Sequence, residues 1–139
     1  MSNEENKAIV RRYQEILNAN DLDALDQVVA ADISTPDIMP GMPSGIEGAR
    51  QAHKIGIAGM PDWHVTIEDL IAEGDMVAAR ITMTGTHIGD FVGIPPTGRR
   101  IKISGMYIAR IANGKIVEHR GVEDAVGLLQ QLGAMPPLS

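Results

Sequence analysis

The chain has 139 residues and a formal net charge of −6, with 12 lysines and arginines against 18 aspartates and glutamates. This length predicts a single domain over residues 1–139, and the acidic balance argues against a nucleic-acid partner, because phosphates attract clustered basic side chains. Cysteine is absent, which excludes disulfides and thiolate chemistry, and no apolar run approaches the ~20 residues that span a bilayer. We therefore expect a cytoplasmic protein without a membrane partner.

The first half of the chain has the patterns of helices and one loop. Apolar residues recur at helical spacing over residues 4–19, with Tyr13 in the apolar stripe. A second short helix, capped by an aspartate, is expected over residues 21–29. Residues 35–45 contain three prolines and two glycines and predict a loop. A third helix is expected over residues 46–58.

The second half alternates between apolar and polar residues, as antiparallel strands do. Residues 65–83 predict a hairpin around a turn at residues 73–75. A two-residue turn would put the apolar residues of the two strands on opposite faces, so a three-residue turn is favoured. In that register Ile71 pairs with Val77, and Ile67 pairs with Ile81.

A second hairpin is expected over residues 101–121, followed by a helix over residues 124–132. Its turn, Ala112-Asn113-Gly114, suits both a two-residue and a three-residue connection. The three-residue register lays Tyr107 directly opposite His119. Helices followed by an antiparallel meander, without βαβ alternation, predict an α+β fold.

Three segments of the second half resemble a known protein family. They are TGTHIGDFVGIPPTGRR at residues 84–100, GKIVEHR at residues 114–120 and GLLQQLG at residues 127–133. Together they are similar to the SnoaL-like polyketide cyclases, within the wider group that has the nuclear-transport-factor-2-like, or cystatin-like, fold. The resemblance covers residues 61–133. It implies a cone-shaped α+β barrel, with a curved antiparallel sheet packed on the N-terminal helices, and a homodimer, with a tetramer as the alternative.

The resemblance also implies a type of chemistry. Cyclases of this family close the last ring of a polyketide by an aldol reaction, in which a carboxylate removes a proton next to a carbonyl group and donors hold the enolate. Their catalytic aspartate directly follows a His-Arg pair, whereas here Gly121 follows His119-Arg120. A family histidine and glutamine fall at Tyr107 and Gly105. We therefore expect this chain not to cyclise anthraquinone-type polyketide esters.

Polar side chains expected on the inward face are the candidates for a site. Tyr107 and His119 form the leading pair. Burying two titratable groups on an otherwise apolar face costs free energy, which indicates a functional role for them. Glu123 lies close in sequence to Gly121 and, like Asp124, is a candidate for a displaced carboxylate. The predicted catalytic set is His119, Tyr107, Asp124 and Asp69, and the predicted substrate-binding set is Tyr13, His87, Arg120 and Trp63.

Several of these residues also suit purely structural roles. Asp124 precedes an apolar helical run and suits a helix cap. Asp69 suits a strand irregularity that faces solvent, and His87, between two nearby glycines, suits hydrogen bonds to loop backbone. Tyr13 suits a core position with its hydroxyl at the rim.

The motifs of metal and cofactor sites are missing from the sequence. The four histidines have no metal-ligand spacing, and the glycines form neither a dinucleotide fingerprint nor a phosphate loop. We predict a protein without metal or cofactor whose apolar pocket, closed by the loop at residues 94–96, binds a small apolar carbonyl compound. It would cyclise, isomerise or hydrolyse that compound by acid–base chemistry. The alternative is a non-catalytic ligand-binding or dimerisation module of the same fold.

Overall fold

A computed structural model describes residues 1–136, so the last three residues of the predicted domain, 137–139, lie outside the described part. The described chain forms helices, one 3₁₀ helix and a five-stranded sheet. In chain order the elements are α1 (Asn3–Asn18), the 3₁₀ helix (Leu22–Gln27), β1 (Val29–Ser34), α2 (Gly45–Gly59), β2 (His64–Glu73), β3 (Met76–Thr86), β4 (Arg100–Ala112), β5 (Lys115–Glu123) and α3 (Ala125–Gln131).

The helices form where the apolar spacing predicts them, within one residue for α1, α2 and α3. Helix α1 begins with a capping box, in which the Ser2 hydroxyl accepts the Glu5 amide and the Glu5 carboxylate accepts the Ser2 amide. Its buried side, which includes Val10 and Ile16, belongs to the core that lies against the sheet. Within residues 1–136 no helix combines the length and apolar character needed to cross a membrane.

The sheet is open, with strand order β1-β5-β4-β3-β2, and its antiparallel part matches the expected α+β arrangement. Strand β1 adds a parallel partner for β5, which the sequence patterns did not indicate. The helix expected over residues 21–29 is wrong at its end, because the 3₁₀ helix stops at Gln27 and the chain then joins the sheet. Burial of Val29 and Ile33 and the bond from the Ile116 amide to the Val28 carbonyl favour the strand.

The hairpin of β2 and β3 starts in the predicted register and then leaves it. The predicted pair of Ile67 and Ile81 is confirmed. A bulge between Ile67 and Asp69 shifts the pairing by one residue, and the hairpin closes with a two-residue turn. Ile71 therefore pairs with Ala78 and is 70% exposed, so its predicted partner and inward position are wrong. One extra residue in a strand turns every later side chain to the other face.

The hairpin of β4 and β5 closes with a two-residue turn at Asn113-Gly114, whose φ angles are 52° and 77°. Positive φ at both positions is what the favoured hairpin turn requires. With a bulge beside the turn, Tyr107 lies opposite Gly121 and His119 lies opposite Ala109. The predicted direct opposition of Tyr107 and His119 is therefore wrong in register. Both residues nevertheless stay on the inward face of the sheet.

Candidate active site

A cavity of about 390 Å³ lies between the inner face of the sheet and the helices. Helix α1, the 3₁₀ helix and α2 form one wall, and strands β1 to β5 form the other. Aliphatic and methionine side chains cover most of the wall, including Leu17, Val65, Ile81 and Met83. A cavity of this size and apolar lining is typical of small-molecule sites.

Three rings meet in this cavity, and we call them the ring cluster: Tyr13, Tyr107 and His119. The Tyr107 and His119 rings are 4.5 Å apart between centroids and are inclined by only 30°. Tyr13 packs edge-on to Tyr107 at 6.2 Å and lies 5.9 Å from His119. The rings are neighbours because Tyr107 and His119 are diagonal on adjacent strands, and α1 brings Tyr13 across the cavity.

Burial holds the members of the ring cluster in their neutral forms. Burial raises the pKa of Tyr13 to about 12. It also raises the pKa of Tyr107, and the negative charge of an ionised Tyr13 raises that pKa further. Burial lowers the pKa of His119. A hydrogen bond with the residue's own backbone and the negative charge of Asp37 oppose that shift. The site therefore contains two phenols and an imidazole, all able to donate a hydrogen bond at neutral pH.

Gln14 joins this set from helix α1. Its side-chain oxygen accepts the Tyr107 hydroxyl at 3.3 Å, a buried bond between residues 93 apart in sequence. Within residues 1–136 the Gln14 amide nitrogen and the Tyr13 hydroxyl have no hydrogen-bond partner, and both residues line the cavity. Two donors are therefore available to a carbonyl oxygen in the cavity.

Three carboxylates lie near the end of β5, and they differ in their partners. Asp37, from the loop after β1, accepts the backbone amide of Gly121 at 3.1 Å. Asp124 accepts the backbone amide of Gly127 at 2.9 Å and caps α3. Glu123 lines the cavity, and burial raises its pKa.

Two predicted carboxylates are not in the cavity. Asp69 follows the bulge in β2 and points outward, where Arg80 Nε donates to it at 2.7 Å in an ion pair with both side chains more than half exposed. The inward position predicted for Asp69 is wrong because the bulge reverses its side. Asp124 has the structural role that the sequence offered as an alternative, and it borders a separate surface depression.

Two predicted substrate-binding residues also lie elsewhere. His87 is fully buried beneath the loop after β3, where its Nδ1 accepts the Thr97 amide and its Nε2 donates to the Ile94 carbonyl, both at 3.2 Å. Arg120 is on the outer face of β5 and pairs with Glu118. The loop at residues 94–96, expected to close the pocket, is likewise not part of the cavity lining in the described chain.

Tyr13, Trp63, Tyr107 and His119 do line the cavity, as their predicted roles require. Several further polar residues were missed, among them Gln14, Asp37 and His53. Gln14 follows Val10 by four positions, so helical spacing alone would have placed it inward. Asp37 and His53 had no local signal, because a loop and a helix bring them to the strands only in the folded chain.

The described side chains are not arranged as a set of metal ligands. Among residues 1–136, no group of three or more histidine, aspartate or glutamate side chains is placed to hold a metal ion. The polar side chains of the cavity are instead distributed as hydrogen-bond donors around the ring cluster and carboxylates at one wall.

Comparisons with known proteins identify the family of this chain. The family model of the SnoaL-like polyketide cyclases matches residues 7–132. Aklanonic acid methyl ester cyclase DnrD of Streptomyces peucetius is 30% identical over 128 residues, which are 90% of this chain and 88% of the relative. Nogalonic acid methyl ester cyclase of Streptomyces nogalater is 43% identical over 60 residues, which are 43% of this chain and 45% of the relative.

Solved structures show the same architecture. TsrD from Streptomyces laurentii aligns with a TM-score of 0.89 and 30% identity over 97% of this chain and 99% of that one. IdmH from Streptomyces antibioticus aligns with a TM-score of 0.81 and 32% identity over 92% and 98%. The fold and cavity define an α+β protein of the nuclear-transport-factor-2-like class. The chain belongs to the SnoaL-like polyketide cyclase family.

Proposed function

We propose that this protein binds an apolar, carbonyl-bearing small molecule of the polyketide type and transfers a proton at the carbon next to the carbonyl group, without a cofactor. One observation carries the proposal: the ring cluster is held neutral by burial inside a cavity that also contains carboxylates. Acid–base chemistry on a carbonyl compound needs this combination of neutral donors and a nearby base.

The cavity suits a flat, largely apolar molecule. Its volume of about 390 Å³ is in the range of small-ligand sites. The stacked rings of Tyr107 and His119 offer one flat surface, and Trp63 adds another aromatic side chain to the wall. Offset stacking on such rings favours an aromatic ligand beyond the burial of its apolar area.

The donors suit the oxygen of an enolate. The Tyr13 hydroxyl and the Gln14 amide face the cavity without partners in the described chain, and desolvation strengthens their bonds to a developing negative charge. A raised tyrosine pKa keeps Tyr13 protonated over the whole physiological range, so it remains a donor.

The names of the relatives support the substrate class and not a particular substrate. Two of them are named as cyclases of aklanonic acid methyl ester and of nogalonic acid methyl ester. The family resemblance implies a catalytic aspartate at position 121, where this chain has glycine. We therefore expect a related carbonyl compound to be the substrate, rather than the esters in those names.

A second candidate function is binding without catalysis, and the same glycine favours it. The two functions are separated by one experiment with the bicyclic ketone β-tetralone as probe. Trp63 is the only tryptophan and lines the cavity, so its fluorescence reports occupancy. Exchange of the hydrogens next to the carbonyl for deuterium, followed by proton NMR in deuterium oxide, reports proton transfer. Quenching with accelerated exchange supports the enzyme; quenching without it supports the binding module.

A further inference from the structure

We propose that Glu123 is the general base of this site, in place of the carboxylate that position 121 lacks. This proposal rests on the proposed function and identifies the residue that removes the proton. Glu123 touches the cavity two residues beyond Gly121 and four beyond His119 on the same strand. Because side chains alternate along a strand, these three positions share the inward face.

Two glycines leave space for the Glu123 side chain. Gly105 is its direct partner on β4, and Gly121 precedes it on β5. A Cβ at position 105 would lie 2.8 Å from the end of the Met83 side chain and 2.9 Å from the Val122 carbonyl. Side chains at these positions would fill the end of the cavity, so their absence opens it around Glu123.

The hydrogen bonds of the three neighbouring carboxylates single out Glu123. Asp37 is engaged by the Gly121 amide, and Asp124 is engaged by the Gly127 amide. Over residues 1–136, Glu123 takes part in no side-chain hydrogen bond or ion pair. Its oxygens are therefore free to accept a proton, whereas the other two carboxylates hold backbone in place.

The environment of Glu123 suits a base. Desolvation on the cavity side raises its pKa, and a carboxylate with a higher proton affinity is a stronger base at neutral pH. The side chain is also exposed at the mouth of the cavity, so a proton taken from a ligand exchanges with water there.

The proton-transfer step balances without a co-reactant. A Glu123 carboxylate oxygen takes the proton from the carbon next to the carbonyl group, and the C–H bond breaks. Its electron pair forms the carbon–carbon double bond, and the carbonyl π pair moves to oxygen. The resulting enolate oxygen accepts a hydrogen bond from the Tyr13 hydroxyl. The protonated Glu123 exchanges with solvent and returns a proton or a deuteron to carbon.

The test compares Glu123→Gln with wild type in the β-tetralone exchange assay. Glutamine keeps the size of the side chain and removes the base, so we expect exchange to fall by ~10² to 10⁴-fold. Quenching of Trp63 by β-tetralone should be retained. Asp124→Asn is the matched control, because asparagine also caps helices and the exchange rate should stay at the wild-type value.

The outcomes separate the base assignment from the proposed function. Wild-type exchange that persists in Glu123→Gln overturns the assignment and leaves the function standing, and loss in Asp37→Asn would then move the base to Asp37. Binding without exchange in wild type overturns both. A carboxyl NMR titration gives an independent readout: a Glu123 pKa at or below the free value of about 4.3 contradicts the assignment.

Discussion

The Asp37 carboxylate accepts a hydrogen bond from the backbone amide of Gly121 at 3.1 Å. Strand β1 pairs with β5 only as far as Ser34 opposite Glu118, so the amide of Gly121 lies beyond the paired part of the edge. Asp37 satisfies it and brings a negative charge beside His119. A loop residue thus places a carboxylate next to position 121, where the family resemblance implies an aspartate.

This relationship determines the expected result of restoring a carboxylate at position 121. We expect wild type not to cyclise aklanonic acid methyl ester. In Gly121→Asp the new carboxylate belongs to the residue whose amide Asp37 accepts, so the two like charges are close and each opposes ionisation of the other. The double variant Gly121→Asp, Asp37→Asn removes that repulsion, and we expect it to cyclise the ester at least ~10²-fold faster than wild type, measured by product formation.

The control for this prediction is Gly121→Ala. Its Cβ would lie 3.2 Å from the Tyr107 Cβ and 3.3 Å from the Met106 carbonyl, so neighbours must shift by a few tenths of an ångström. We expect a loss of about 1–3 kcal/mol in unfolding free energy and no cyclisation. Turnover of the ester by wild type would show that a base already serves this reaction.

The depressed pKa of His119 predicts a pH dependence of stability. Burial is the main cause, so the folded state favours the neutral ring and the unfolded state binds more protons. The contribution is fully present above the unfolded pKa of about 6.5 and is lost as pH falls through that value towards the folded one. Urea unfolding at a series of pH values, with an NMR titration of His119, measures both quantities.

His119→Phe isolates this effect, because it keeps a ring against Tyr107 and removes the titration. Between the two His119 pKa values the variant should lose the part of the slope that His119 causes. Glu123 acts in the opposite sense at lower pH: its raised pKa gives stability that is present below the free value and lost as pH rises through the folded value. A His119 pKa at or above 6.5 in the folded protein contradicts the burial argument.

His87 is expected to stabilise the loop after β3 and not to bind ligand. In His87→Ala the Thr97 amide and the Ile94 carbonyl lose their partners beneath the loop. We expect a loss of roughly 2–4 kcal/mol in unfolding free energy, while the affinity for β-tetralone, read from Trp63 fluorescence, stays the same. His64→Ala, at an exposed position, should change stability by less than ~0.5 kcal/mol. Reduced affinity with unchanged stability would restore His87 to the binding site.

The outer face of the sheet predicts the oligomeric state, and we propose that two copies of this chain pair through it. Met106, Ile108 and Val122 are 50%, 45% and 74% exposed on that face. Ion pairs of Arg80 with Asp69 and of Arg120 with Glu118 surround them, so the face carries both charges and is complementary to a copy of itself. Exposed apolar patches with a polar rim mark protein interfaces.

Light scattering at micromolar concentration tests this proposal. We expect the mass of a dimer for wild type and of a monomer for Ile108→Lys, which places a charge in the middle of the face. Ile88→Lys changes a residue that is 60% exposed on the loop after β3, and it should leave the dimer intact. A monomeric wild type would rule out the pairing.

The sequence by itself determined the fold class, the three α-helices and the inward positions of the ring cluster. These depend on local spacing: the helical stripe that includes Tyr13, and the alternation that keeps Tyr107 and His119 on one face of their strands. The family resemblance, which the family match confirms, rests on segments in one continuous half of the chain.

Only the tertiary structure decided the strand registers and the carboxylates of the site. A bulge in β2 turned Asp69 outward, and a two-residue turn together with a bulge in β5 moved the direct partner of Tyr107 from His119 to Gly121. Asp37 reaches the cavity from a loop 84 residues away in sequence from Gly121, and no local pattern encodes such a contact. Spacing along the chain predicts which face a side chain takes only where a helix or strand is regular. Bulges, and the partner that a side chain meets, are set by the packing of the folded chain.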